Sequence, residues 1–398
     1  MNDKKKKARI SNIKEMEAEI NLEREELKEN KRNRKKQRNI KITKKFFIFC
    51  FLLGTICCYI GLFVVYGPNT KFRDWFITTA EASMTHQYYA RWFYDEPTIK
   101  HVMSKNDVIE SGASTDTSLY NMDNMYEKPT TGKVTYESEY ERQILERDPE
   151  HLDYKIIEFK DEKLKSGRVF DGYLAVIYDP SKIHTVTTKY LGSRGEYLKD
   201  MAKRVNARVC INGGGFVDPG LNSNGSTPLG ITISKGEIKT QDGSWNGSGG
   251  IIGFNEEDQL ILTKCSLSQA QYLGIRDCVT FGPFLIVNGE PSKVLGNGGW
   301  GVAPRTVIGQ RSDGIVLMFV SDGRNGLKQG IDVNDEIEIM QRYKAINAAN
   351  LDGGTSSVMI VEGEMINDPI DSTGAHKTRW IAYGFYLEPE ENTTTDDN

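Results

Sequence analysis

A chain of 398 residues has room for one large domain with appendages or for two domains. Its formal net charge of -4 hides an asymmetry: residues 1–45 hold 17 Lys/Arg against 8 Asp/Glu, and everything after them is acidic on balance. The basic segment has no aromatic residue to stack on bases, so composition leaves no case for a nucleic-acid partner.

In chain order, residues 1–45 read as a basic cytoplasmic tail, partly helical and solvated beside anionic lipid. Phe46–Tyr66 follows without a charged residue. As a helix it would extend about 31 Å, matching a bilayer core of roughly 30 Å. A transmembrane helix is the expectation, with a cleaved signal peptide as the competing reading. The run is longer than the usual signal core, its basic leader is long, and no small-residue cleavage site follows. Lys44 and Lys45 at its inner edge place the amino end in the cytoplasm and the rest of the chain outside.

Residues 67–103 are rich in aromatics and are expected to form a juxtamembrane helix, lying against lipid headgroups or self-associating with a copy of itself. His86 and His101 within it read as interfacial polar tips, not metal ligands. Residues 104–150 are polar and poor in aliphatic side chains, the composition of a linker, and residues 390–398 read as an acidic disordered tail.

The folded domain is expected over 151–389. Period-two and short apolar runs predict strands near 173–178, 184–187, 208–212, 230–234, 250–255, 259–263, 284–287, 307–310, 315–321, 358–361 and 381–387. Helices are expected from about 196 to 205 and, capped by Asp332, to about 343. Strands outnumber helices, and hairpins join many neighbours. The fold class is therefore α+β, a mixed, mainly antiparallel sheet with flanking helices, preceded by one transmembrane helix.

Cys50, Cys57 and Cys58 fall in the apolar run, whereas Cys210, Cys265 and Cys278 fall outside it. That odd number leaves at least one free or paired between chains, with Cys210 expected to be buried and a Cys265–Cys278 bridge left open. There is no CxxC or HExxH pattern and no zinc site is expected; whether a divalent cation assists is open. Gly296–Gly301 satisfies G-x-G-x-x-G, but no helix is expected after it, so a substrate loop is the better reading.

Four stretches share one pattern, an apolar strand meeting Gly with Asn, Asp, Arg or Ser. They are Asn212-Gly-Gly-Gly-Phe216, Arg305-Thr306, Asp322-Gly-Arg324 and Asp352-Gly-Gly-Thr-Ser-Ser357. A carboxylate at the end of a buried strand is costly unless it is paired or used, although a tight turn with a capping Asp explains Asp352-Gly equally well. If one rim collects all four, it suits an anionic, hydroxyl-rich ligand such as a sugar phosphate.

The same stretches, as Ile211-Asn-Gly-Gly-Gly-Phe216, Arg305-Thr-Val-Ile-Gly309, Asp322-Gly-Arg324 and Asn350-Leu-Asp-Gly-Gly-Thr-Ser-Ser357, resemble the phosphodiester glycosidase family in order and spacing. The resemblance spans roughly Tyr173 to Leu387. Departures are conservative: Asn212-Gly-Gly-Gly-Phe216 where Asn-Gly-Gly-Phe-Phe is commoner, Thr355 where Gly is commoner, and Asp335 where Glu is usual. The resemblance implies hydrolysis of a sugar-1-phosphate diester of the α-N-acetylglucosaminyl-phosphate type.

On that basis Asp352 is the first candidate to stabilise or attack an oxocarbenium-like centre, and Asp322 the second carboxylate, orienting water or sugar hydroxyls. Arg305 and Arg379 are expected to neutralise the leaving phosphate. Asn212, Thr306, Arg324, Ser356 and Ser357, with the backbone of Gly213, Gly214, Gly215, Gly353 and Gly354, are expected to complete the substrate-binding shell. The setting implied is a bacterial envelope, with a phosphodiester-linked glycan, in an envelope glycopolymer or exopolysaccharide, as partner. A non-catalytic glycopolymer-binding module and an envelope assembly protein are the alternatives.

Overall fold

The computed structural model describes residues 2–81, 87–122, 136–217, 224–241, 249–371 and 373–389. His86, the loop at 218–223, part of the expected linker (123–135) and the tail 390–398 lie outside the described residues. The chain divides into two compact units, Met1–Arg73 and Asp74–Asn398.

The first unit is dominated by one continuous helix, α1 (Asn2–Tyr66). Residues 2–53 contain neither Gly nor Pro, and Glu25 pairs with Lys28 at 2.8 Å, so nothing in the basic tail interrupts the helix. It ends where Gly67-Pro68 removes both a side chain and a backbone donor. Its apolar part is long and apolar enough to cross a membrane by length and composition, a test that a signal sequence also passes.

The aromatic stretch differs from the single helix expected: it forms α2 (Thr70–Glu81), α3 (Tyr88–Phe93) and α4 (Glu96–Lys105). Pro97 sits in the first turn of α4, where its missing N–H is harmless, and Asp95 caps that helix by accepting from the Thr98 amide at 3.0 Å. Ile77, Ala80, Ala90, Ile99 and Val102 are buried. The following polar stretch also makes ordered contacts. Val108–Ile109 pairs with Lys293–Val294. Tyr120 donates to the Leu260 carbonyl at 3.0 Å and accepts from Asn347 at 2.9 Å. Helix α5 (Glu139–Leu145) buries Ile144.

Three larger sheets form the second unit, and every strand pair among the described residues is antiparallel, so the sheet is antiparallel rather than mixed. The seven-stranded sheet runs in the order Glu290–Pro291, Phe284–Val287, Ala345–Asn350, Arg305–Arg311, Val316–Ser321, Val169–Ile177 and Tyr154–Lys163. A five-stranded sheet orders Glu364–Met365, Met359–Val361, Val209–Asn212, Tyr383–Leu387 and Ile183–Thr187. The other orders Leu260–Thr263, Gly250–Asn255, Ile275–Phe281, Ile231–Ser234 and Glu237–Gln241. Helices α6 (Leu198–Arg204), α7 (Leu267–Tyr272) and α8 (Val333–Arg342) flank them.

The largest sheet is buried on both faces. Ala175, Ile308, Val316, Met318 and Val320 enter a core shared with residues of the five-stranded sheets, such as Ile211, Ile252 and Phe385. Their neighbours Leu174, Val307, Leu317 and Phe319 point the other way, into a core with Ile337 and Met340 of α8. Alternate side chains of a strand face opposite sides, which is why Val316–Val320 reads as an unbroken apolar run. Cys210, Cys265 and Cys278 are free thiols, and burial raises the Cys210 and Cys278 pKa values well above the ordinary thiol range.

Candidate active site

The rim is assembled from strand ends. Register pairs Arg305 with Ser321 and Val307 with Asn350, so Arg305, Asp322 and the Asn350–Asp352 segment emerge at one edge of the seven-stranded sheet. Asn212, 1% exposed, ties that edge to the neighbouring sheet. Its carboxamide oxygen accepts from Thr306 Oγ1 at 2.7 Å and the Val358 amide at 3.1 Å, and its Nδ2 donates to the Asp352 carbonyl at 2.6 Å. The Asp352 amide in turn donates to the Gly213 carbonyl at 3.0 Å. Asn212 and Thr306, expected to touch substrate, therefore brace the Asp352 turn from behind, because their polar atoms are spent on the protein.

In front of that brace lies a cavity of about 1210 Å³, with Asp352, Gly353, Gly354, Thr355, Arg324 and Arg379 on its polar wall. Arg379 Nη2 donates to Asp352 Oδ2 at 2.8 Å and its Nε to Ser356 Oγ at 2.6 Å, while its guanidinium lies 4.7 Å from the centre of the Phe216 ring. Arg324 donates through Nη1 to Thr355 Oγ1 and to the Ile370 carbonyl, each at 3.0 Å. Burial, then the Arg379 and Arg305 charges, lowers the pKa of Arg324 below the ordinary arginine value. Cations drawn together this way are poised for an anion. Gly354 has φ +63°, and a Cβ there would stand 3.0 Å from Arg324 Nη2, so the turn needs glycine.

The lining also has an apolar part, with Phe216, Leu229, Phe281 and Trp300. The Phe281 and Trp300 rings meet edge-on at 5.6 Å. Trp75, Phe76, Thr79, Ala80 and Tyr89, from α2 and α3, also stand in the lining. The volume exceeds the roughly 300–1,000 Å³ usual for small-molecule sites, which leaves room for more than one sugar.

Other expected site residues are placed differently. Arg305 borders the cavity but is 3% exposed, donating from Nη2 to the Trp300 and Gly301 carbonyls, both at 2.7 Å. It fixes the Gly296–Gly301 loop, and through it Trp300, while its Nε lies 3.3 Å from Glu336 Oε1. Asp322 is not part of the cavity lining. Its Oδ1 accepts from Asn367 Nδ2 and the Asp368 amide, each at 3.0 Å, and burial raises its pKa. The Gly213 amide donates to the Tyr383 carbonyl at 3.0 Å, so it is not free for a sugar or phosphate oxygen. Gly214 is a packing position, and Gly215 reaches the lining. Ser356 serves Arg379, whereas the Ser357 hydroxyl is buried away from the cavity without a hydrogen-bond partner.

Sequence reasoning missed Glu336, Asp371 and the aromatic wall. Glu336, on α8, is fully buried, neither carboxylate oxygen has a hydrogen-bond partner, and burial pushes its pKa up to about 8 against the opposing pull of Arg305. Asp371 lines the cavity, but Lys377, Thr373 and the Ala375 amide lower its pKa and hold its carboxylate in a turn. Among the described residues no cluster of three or more His, Cys, Asp or Glu could hold a metal ion.

Comparison with known proteins matches this region. The profile of the phosphodiester glycosidase family matches residues 205–388. The chain is 30% identical over 203 residues to the SPbeta prophage-derived uncharacterized protein YomE of Bacillus subtilis (strain 168), covering 49% of this chain and 30% of that protein. It is 24% identical over 190 residues to human N-acetylglucosamine-1-phosphodiester alpha-N-acetylglucosaminidase, covering 44% of this chain and 36% of the human protein. The chain thus spans about a third of the length of these relatives. In fold it is similar to the catalytic domain of the zebrafish N-acetylglucosamine-1-phosphodiester alpha-N-acetylglucosaminidase, with a TM-score of 0.51, 19% identity, and coverage of 61% of this chain and 85% of that one. Over residues 205–388, which carry Asp352, Arg324 and Arg379, the chain has a family-level match to the phosphodiester glycosidases.

Proposed function

We propose that the protein hydrolyses a sugar-1-phosphate diester of the α-N-acetylglucosaminyl-phosphate type within an envelope glycopolymer or exopolysaccharide. In this reading α1 anchors it by one membrane span, amino end in the cytoplasm and Asp352 outside. One observation carries the proposal: a carboxylate, Asp352, is held by Arg379 in the wall of a cavity that also receives Arg324 and an aromatic face. Breaking the bond between the anomeric carbon and the phosphate oxygen develops positive charge on the sugar and negative charge on the leaving group. Asp352 meets the first, and Arg379 with Arg324 meets the second through in-plane N–H groups. A phosphomonoester is a fair leaving group, so cation stabilisation can replace a strong general acid. Trp300, half-buried in the lining, offers a face on which a sugar ring can rest.

A second reading, a binding module that holds the glycan without cutting it, is favoured by one observation: Asp322, the expected partner carboxylate, is not part of the lining. The test is sugar release by the full chain from a small α-N-acetylglucosaminyl phosphodiester, with and without chelator. Release is expected to survive chelation and to fall by a factor on the order of 10³ in Asp352→Asn with little change in melting temperature. Undiminished release in that variant would remove Asp352 from the reaction. Absence of release from the native chain, with retained binding, would favour the second reading.

A further inference from the structure

A second cleft, of about 540 Å³, has Trp380, the residue after Arg379, in its lining. Lys189, Tyr190, Arg194, Tyr197, Lys203 and Trp380 stand in its lining. Arg379 and Trp380 are consecutive, so one step of chain, about 3.8 Å, separates a residue of the Asp352 cavity from a residue of this cleft. The partition is firmly held: Ile381 and Glu196 exchange backbone hydrogen bonds, both at 3.0 Å.

The chemistry of the cleft combines ring faces with cations. The Arg194 guanidinium lies 4.0 Å from the centre of the Tyr190 ring and 5.5 Å from that of Trp380. Lys189 Nζ lies 5.0 Å from the Tyr190 ring, and Trp380 meets Tyr197 edge-on at 6.2 Å. Of the two carboxylates in the lining, Glu196 is engaged by Arg204 at 3.1 Å and Lys189 at 3.9 Å, and Asp200 is exposed. Arg194 has no ion pair with a carboxylate among the described residues. A guanidinium held against ring faces keeps its in-plane N–H groups for an anion. Side-chain hydrogen bonding by Arg194 and then by Lys189, with their charges adding to it, lowers the Tyr190 phenol below its usual range. Exposed Tyr197 and Trp380 offer the apolar faces that sugar rings need.

We propose that this cleft is a second subsite, which takes a neighbouring phosphate-bearing sugar of an anionic glycopolymer while the scissile repeat lies against Asp352. The inference rests on the proposed function and narrows its substrate class to polymers with a charge in every repeat. A substrate with a single sugar phosphate would reach only the Asp352 cavity. A longer one would cross the ridge at Arg379 and Trp380 and place its next phosphate on Arg194.

The test compares one repeat with four, using synthetic oligomers of N-acetylglucosamine 1-phosphate and the full chain in detergent. The native protein is expected to prefer four repeats in kcat/KM. Arg194→Ala should lose about tenfold of that preference through KM, while its kinetics on one repeat stay unchanged. Arg194→Lys should restore part of it. No length preference in the native chain, or the same preference in Arg194→Ala, would overturn the subsite. Binding of the four-repeat oligomer to Asp352→Asn, with and without Arg194→Ala, is read separately and needs no turnover. Loss of that binding with Arg194→Ala supports the subsite even if the hydrolase reading fails. Equal affinity for a single-stranded oligonucleotide of the same charge would overturn the sugar specificity in favour of a polyanion surface.

Discussion

Glu336 is a carboxylate sealed beside Arg305, with neither oxygen hydrogen-bonded. Desolvation outweighs the attraction of the guanidinium and raises its pKa to about 8, from an ordinary value of 4.5. Between those two values the unfolded chain has released this proton and the folded chain has kept it. Stability from this site therefore falls as pH rises through that window. Glu336→Gln imitates the protonated form at every pH. Its melting temperature is expected to follow the native protein near pH 5 and to exceed it near pH 9, flattening the profile between. A variant profile as steep as the native one would assign the dependence to other groups. A protonated Glu336 leaves the Arg305 charge uncompensated at the border of the cavity, which would favour the anionic substrate proposed for it.

At the scale of elements, the approach of one sheet to another is set by glycine. The segment after Val209–Asn212 passes so close to Ile275–Phe281 that a Cβ on Gly214 would stand 2.4 Å from the Thr280 carbonyl oxygen and 2.8 Å from Tyr383 Oη. Gly214→Ala is expected to lower the melting temperature by many degrees. Gly236→Ala, at φ +76° with open space around it, should show only the left-handed backbone strain of roughly 1–2 kcal/mol. Comparable losses in the two variants would contradict the packing account. Such contacts join residues far apart in sequence, and this marks what sequence could reveal. The runs Val316–Ser321 and Phe284–Val287 are legible because both faces of their strands are buried. Tyr154–Lys163 is not, since its charges interrupt the apolar pattern at a sheet edge. Asp352 and Arg379 are legible as chemistry, and the structure brings them to 2.8 Å. The burial of Arg305 and the position of Asp322 off the lining depend on loops at 296–301 and 367–368 that no local pattern announces. Helices α2 to α4 read as interfacial because aromatic spacing cannot distinguish a lipid surface from a protein one.

The whole molecule turns on where its second compact unit begins. Sequence composition places the start of the folded domain at residue 151, whereas the compact unit starts at Asp74. Trp75, Phe76 and Tyr89 stand in the wall of the Asp352 cavity, and Asn297 donates to Thr78 at 2.7 Å, linking α2 to the loop that carries Trp300. Val108 and Ile144 are buried in the same core as α8. Each buried aliphatic side chain of this kind contributes about 1.5–3 kcal/mol, against a total stability of roughly 5–15 kcal/mol for a typical domain. A chain beginning at residue 67 is therefore expected to melt like the full protein and to keep its KM, while losing attachment to lipid vesicles if α1 is the anchor. A chain beginning at residue 151 exposes the faces that these residues cover. It should melt at least ten degrees lower or aggregate, and bind substrate more weakly because one cavity wall is gone. Equal melting and equal KM for the two shortened chains would mean that residues 74–150 rest on the domain without supporting the site, and that the cavity is closed by the sheets alone.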